Sequence, residues 1–331
     1  METILITGGA GFIGSNFVRH IFDKYKEYKI IVVDSLTYAA KPDSIPDEIK
    51  NSDRFEFWYG DITNQQLIES LLEKSDAVVH FAAESHIAKS VLENRKFYVT
   101  NVLGTFSIAN GVFKNRNIER YVHISSAEIY GSAIHVPMTE EHPINPLTPY
   151  ASSKAGGDRL VYSYVKSYDI PAVILRPFNQ YGPCQHLEKV IPRFITSTIM
   201  NEPLTVHGGG LVTRDWTYVE DTCDVIDRAL HADLNKVKGE IFNIGTGFNP
   251  TILEVAKKIL QAMGRTEDQI TFNYERPGQI EQNRASNKKA EELLGWKPKV
   301  TFDEGIMKTI QWYEHNGDWW KRLLWMKRIK V

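Results

Sequence analysis

Tyr150 and Lys154, in "TPYASSK" (148–154), are the residues whose types and spacing most directly suggest chemistry. Four positions apart, they share one face of a helix if it begins near Pro149. A lysine ammonium close to a phenol stabilises the phenolate, so Tyr150 could take a proton from a substrate alcohol near neutral pH. Upstream, "YVHISSAEIYG" (121–131) reads as a buried strand that ends in two serines, Ala127 and a lone acid, Glu128. Ser126 can donate a hydrogen bond there, and Glu128 can move a second proton. A Tyr-x-x-x-Lys pair alone describes many surface helices. It gains meaning only behind a cofactor site.

That site is in "ITGGAGFIGSN" (6–16), where Gly8, Gly11 and Gly14 follow a strand and open a helix. The first glycine permits a tight turn, the second lets the backbone approach a pyrophosphate, and the third lets helix and strand pack closely. The free N–H groups of the helix start then face the negative charge. Asp34 ends the second strand, 20 residues after Gly14, where a carboxylate accepts from both ribose hydroxyls. It would repel a 2′-phosphate, so NAD is expected over NADP. Asp61, after the third strand, suits an adenine amino group.

The elements that must position these groups follow from periodicity. "TILIT" (3–7), "KIIVVD" (29–34), "RFEFWYGD" (54–61), "DAVVHFAA" (76–83) and "RYVHISS" (120–126) read as strands, with "SNFVRHIFDKY" and "NQQLIESLLEK" as helices between them. "PAVILRP" (171–177) and "EIFNIG" (240–245) extend the set. Near-continuous apolar strands alternating with helices predict an α/β fold, a Rossmann doubly wound parallel sheet covered on both faces. Shorter elements and many turn signals elsewhere predict a smaller, interleaved, mixed α/β substrate domain. The expected division is 1–177 plus about 218–245 for the cofactor domain, and about 178–217 plus 246–331 for the second.

Composition excludes several classes. Of 331 residues, 42% are hydrophobic and 24% charged, and the net charge of −2 offers no global attraction to nucleic acid or membrane. Cys184 and Cys223 lack the spacing of a zinc site or a disulfide framework, so no metal is expected. No signal peptide or membrane-spanning run is legible, and a cytoplasmic location is expected.

"TGGAGFIGSN", "DSLTYA", "GDI", "FAAESH", "TNVLGT", "PYASSKA", "NQYGP", "EKVIP", "RDWTYVED", "NIG", "RPG" and "LGWKP" occur in one order nearly end to end. In this the chain resembles the extended short-chain dehydrogenase/reductases, and more narrowly the nucleoside-diphosphate-sugar 4,6-dehydratases of the dTDP-glucose type. The resemblance implies that Tyr150 is the base at the sugar C4 hydroxyl, with Ser126 donating to it and Lys154 supporting Tyr150 and the nicotinamide ribose. Glu128 would remove the C5 proton. Gly8, Phe12, Ile13, Ser35, Asp61, Ile62, Phe81, Ala82, Ala83, Ser85 and Thr100 would line NAD. On the nucleotide-sugar side it implies Ser85, Ser126, Asn179, Lys189, Val190, Arg214, Asn243 and Arg276. A homodimer through a four-helix bundle, built from helices around 94–115 and 152–168, is also implied.

One position departs from that family. Its dTDP-glucose type has Thr-Asp-Glu at this strand end, the Asp serving as acid for the departing C6 hydroxyl; here Ala127 stands in its place. Alanine cannot donate a proton, so Glu128 is expected to serve both steps, unless a water fills the vacated space. A 4-epimerase breaks no C5–H bond and needs no base there, so Glu128 favours a dehydratase. A dehydratase stopping at a 5,6-unsaturated product, a 4-epimerase and a non-catalytic NAD-binding protein stand as alternatives. Finally, "DWWKRLLWMKRIKV" (318–331) is basic and aromatic. It is read as a terminal helix packed on its own domain, with membrane-surface contact the lesser alternative.

Overall fold

The computed structural model describes residues 1–274 and 280–328. Seven parallel strands form the main sheet: β1 (Thr3–Thr7), β2 (Lys29–Asp34), β3 (Phe55–Tyr59), β4 (Ala77–His80), β5 (Arg120–Ile124), β6 (Ala172–Pro177) and β10 (Ile241–Ile244). Their order is β10-β6-β5-β4-β1-β2-β3. All seven sequence-predicted strands are present, several shorter than predicted. Residues such as Asp61, Phe81–Ala83 and Ser125–Ser126 leave the ladder at its carboxyl edge. The order reverses between β1 and β4, which opens a crevice beyond the strand ends.

Alternation along each strand fills two cores. Ile4, Ile6, Val32, Val79, Val122 and Leu175 face one layer of helices, and Leu5, Ile31, Val33, Val78, Tyr121 and Ile174 face the other. The smaller lobe holds two two-stranded parallel sheets, β7 (Asn179–Tyr181) with β9 (Trp216–Tyr218) and β8 (Leu204–His207) with β11 (Ile270–Asn273). Helices Val190–Ile199, Ile252–Ala262 and Phe302–His315 pack on them around a separate apolar core. Capping boxes at Thr251/Glu254 and Thr301/Glu304 start the last two helices. One segment crosses the expected division. Helix Lys288–Leu294 and Trp296 bury Ala290, Leu294 and the indole in the main-sheet core, not in the smaller lobe.

The described part of the basic aromatic tail, up to residue 328, packs on its own lobe, and residues 329–331 lie outside the described residues. Trp320, Leu323 and Met326 are buried in the smaller core, and Trp320 Nε1 donates to the Tyr313 carbonyl at 2.7 Å. Lys327 lays its stem along this surface and brings its ammonium to Glu202 and Ser197, both at 3.0 Å. The apolar face that a membrane would need is thus occupied. Among the described residues no helix is long and apolar enough to cross a membrane. Trp320→Ala should cost about 3–5 kcal/mol of unfolding free energy. Urea denaturation checks this, and a loss below about 1 kcal/mol would contradict the packing.

Candidate active site

The glycine turn after β1 has the shape of a cofactor cradle. Gly8 has φ +71°, and a Cβ there would lie 2.6 Å from the Ala82 nitrogen. A Cβ on Gly14 would collide with the Gly8 carbonyl. Gly11 caps helix Phe12–Lys24 without a side chain, so its first-turn N–H groups face outward for a ligand. Phe12 and Ile13 back this turn onto the core. Asp34 is buried; its two oxygens accept from the N–H groups of Ala10 (3.0 Å) and Leu36 (2.8 Å). Burial raises its pKa and the two backbone donors pull it back, while each oxygen keeps a lone pair for a ribose hydroxyl.

The rest of the lining lies along the same edge. Ser35, Phe81, Ala82, Ala83 and Ser85 are half-buried there. Asp61 is exposed, with one oxygen engaged by Thr63 (2.9 Å and 2.8 Å) and the other open. Ile62 is buried against Gly104, and Thr100 stands in a π-helical turn, Val99–Gly104, within the helical stretch from 94 to 114. This donor set and shape fit NAD.

Thr148 starts the helix of the proton-transfer pair. Its hydroxyl accepts from Ala151 N–H at 3.1 Å, Pro149 occupies the first turn, and the helix runs Pro149–Tyr168. The Tyr150 hydroxyl hydrogen-bonds Ser126, whose Oγ also accepts from Glu128 N–H at 3.2 Å. Lys154 is buried and donates to the Ile124 carbonyl at 2.7 Å. Burial pushes this ammonium down to about 8, partly opposed by Asp158. Burial pushes the Tyr150 phenol up to about 12; Ser126 lowers it and the Glu128 charge raises it further. The expected activation of Tyr150 by Lys154 is therefore not built into the protein alone. The ammonium is held by a strand-end carbonyl, and desolvation dominates the phenol.

Glu128 sits in the 3₁₀ turn Ala127–Tyr130 that Ser126 caps. Burial raises its pKa, opposed by Arg214 and Lys189 from the smaller lobe. Lys189 donates to the Ser85 carbonyl at 3.0 Å and Arg214 to the Thr213 carbonyl at 2.8 Å. Val190 opens the helix after Lys189, a start with no side-chain cap. Asn179 is half-buried, its N–H bonded to the Asp215 carbonyl at 3.0 Å. Ala127 is closed into an apolar cluster with Ile129, Tyr130, Met138, Ala155, Phe178 and Ala285. An acid at this position would be desolvated.

The family model described as GDP-mannose 4,6 dehydratase matches residues 5–309. Low-salt glycan biosynthesis protein Agl12 of Haloferax volcanii is 39% identical over 94% of this chain and 98% of its own. The dTDP-D-glucose 4,6-dehydratase of Mus musculus is 36% identical over 97% and 91%. The crystal structure of dTDP-glucose 4,6-dehydratase from Bacillus anthracis in complex with NAD superposes with a TM-score of 0.90. It is 38% identical and covers 98% of this chain and 100% of that one. The chain belongs to the 4,6-dehydratase family.

One residue that the family resemblance suggested takes another place. Asn243 is fully buried: its Oδ1 accepts from the Tyr130 hydroxyl at 2.7 Å and its Nδ2 donates to the Met138 carbonyl at 3.0 Å. Fully buried and turned toward Tyr130 and Met138, it stands behind the candidate site. Arg276 lies outside the described residues. Sequence reasoning passed over Tyr130, the side-chain partner of Asn243, and Arg176 and Asp158, which continue the chain behind Tyr130. Arg176 offered a signal, as a charge within the apolar strand "AVILRP" must find a buried partner. Asp158 offered another, lying one turn beyond Lys154 on the same helix.

Asp34 generates a cofactor prediction. NAD should bind at least about tenfold more tightly than NADP, on the order of 1.4 kcal/mol. Equal affinities by calorimetry would remove Asp34 from the ribose.

Proposed function

We propose that the chain is an NAD-dependent nucleotide-sugar 4,6-dehydratase. It would oxidise C4 of a nucleoside-diphosphate hexose, eliminate water across C5 and C6, and return hydride to C6, giving a 4-keto-6-deoxy sugar. The observation that carries this reading is the lone carboxylate of Glu128, set beside Ser126 and Tyr150 and flanked by Lys189 and Arg214. Bound NAD⁺ supplies the hydride acceptor and donor and a positive charge beside the phenol.

The residues divide the work as follows. Ser126 orients the C4 hydroxyl and Tyr150 takes its proton. Lys154 holds the ribose, its charge present below about pH 8 and lost above it. The C4 ketone acidifies the C5 hydrogen, and a carboxylate of raised pKa is suited to remove it. Lys189 and Arg214 also suit the diphosphate. Once they are shared with it, their pull on Glu128 weakens and its basicity rises. With Ala127 closed off, the same carboxylate returns the proton to the C6 oxygen on that face. Asn179 is offered to the substrate phosphate on the family resemblance.

We also infer a homodimer. The helical stretch from 94 to 114 exposes Tyr98 (40%), Leu103 (56%) and Phe106 (37%), and helix Pro149–Tyr168 adds Tyr168 (45%). A contiguous apolar ridge of this kind favours a second copy on the same helices. Sedimentation at micromolar concentration should give a dimer; a monomer would contradict it.

Glu128→Gln should still reduce bound NAD⁺ when a nucleoside-diphosphate hexose is added, because Ser126, Tyr150 and Lys154 remain. NADH absorbance should accumulate, while C5 exchange in deuterated water falls by roughly 10²-fold. Wild-type turnover and exchange in this variant would show that Glu128 is not the C5 base, whereas turnover of the wild-type protein with no C5 exchange would transfer the case to the 4-epimerase.

A further inference from the structure

We propose that the buried chain Asp158–Arg176–Tyr130 is a positioning device that locks the helix of Tyr150 and Lys154 to the turn that carries Glu128. It rests on the reaction proposed above, and its parts come from three elements. Asp158 lies one turn beyond Lys154 and two beyond Tyr150 on one helix. Arg176 is in β6 and grips both oxygens of Asp158, Nε to Oδ2 and Nη2 to Oδ1, each at 2.9 Å. Its Nη1 donates to the Tyr130 hydroxyl at 2.8 Å, and Tyr130 follows Glu128 by two residues in the same 3₁₀ turn. The Tyr130 hydroxyl donates its own hydrogen bond to Asn243 Oδ1 at 2.7 Å. All four side chains are at most 1% exposed.

A planar guanidinium holding a carboxylate at two points and a phenol at a third fixes direction as well as distance. Buried ion pairs contribute little net stability compared with apolar packing, so stability alone does not account for this one. Its location does. The base at C4 and the base at C5 stand on different elements, and their separation must be held closely for both to reach one sugar ring.

The chain also sets the charge near the cofactor. Lys154 is faced by Asp158 on its own helix and by His80 and His123 from β4 and β5. Burial holds His123 down to about 3 and His80 well below its usual value, so both stay neutral at neutral and alkaline pH. Asp158 thus opposes the burial that pushes Lys154 down, and Arg176 and Arg159, both bonded to Asp158, limit how strongly it does so.

Two readouts on the full-length protein test this, one of them independent of turnover. With ¹³Cε-labelled lysine, the Lys154 resonance, assigned by its absence in Lys154→Met, is titrated by NMR. Asp158→Asn should lower its midpoint by about one pH unit or more, and Arg176→Met should raise it. Midpoints unmoved in both, or moved the same way, overturn the charge-setting role. This arm stands even if wild type reduces no NAD⁺ with any nucleotide sugar, a result that would sink the proposed function alone. Tyr130→Phe removes only the link to the Glu128 turn and keeps the ion pair, so it serves if the charge variants fail to fold. It should leave the Lys154 midpoint in place and NADH formation within about twofold, while C5 exchange drops about tenfold or more. Equal losses in both steps, or none in either, overturn the locking role.

Discussion

The constraint on which everything else rests is the parallel sheet. Because all seven strands run one way, their carboxyl ends form a single edge, and the glycine turn, Asp34, Ser126 and Glu128 all stand on it. The glycine turn leaves β1, Asp34 ends β2, Asp61 lies just beyond β3, Phe81–Ser85 leave β4, and Ser126 and Glu128 follow β5. The reversal of strand order between β1 and β4 separates the loops there, so a dinucleotide can lie across the gap. Helix Pro149–Tyr168 then reaches that edge from the side and delivers Tyr150 to Ser126.

Desolvation is the second organising force. It raises the Tyr150 phenol and the Glu128 carboxyl and lowers the Lys154 ammonium. Left alone, the site therefore favours neutral forms. Charge enters it from three sources: Asp158 beneath Lys154, the Lys189 and Arg214 pair from the smaller lobe, and whatever the ligands bring. The site is poised to respond to binding, since a diphosphate competes with Glu128 for the two cations.

The smaller lobe contributes more than a lid of specificity loops. Its Lys189 and Arg214 pull the Glu128 pKa down against burial, so in the proposed reaction the lobe offered to the nucleotide also modulates the basicity of the carboxylate. Ala127 follows the same logic. Its side chain is filled in by Met138, Phe178 and Ala285, so the acid of the family motif is absent and its space is lined by apolar groups. The burden on Glu128 is a matter of packing as well as of sequence.

The sequence by itself determined the sheet, its parallel sense, the glycine turn and the placing of Tyr150 and Lys154 on one helix. These rest on local signals: period-two and helical apolar patterns, glycine spacing, and a Tyr and a Lys four residues apart. It did not determine what each charged group faces. Asn243 sits on a strand end like a ligand-binding residue, yet the fold turns its amide back to Tyr130 and Met138. Lys154 was expected to favour the phenolate, yet its ammonium meets the Ile124 carbonyl. Trp296 falls late in the chain, yet it fills the first core. Arg176, Asp158 and Tyr130 are far apart in sequence and meet only after three elements pack. Periodicity is written residue by residue, whereas pairing and desolvation depend on which surfaces come together, and only the tertiary structure decides that.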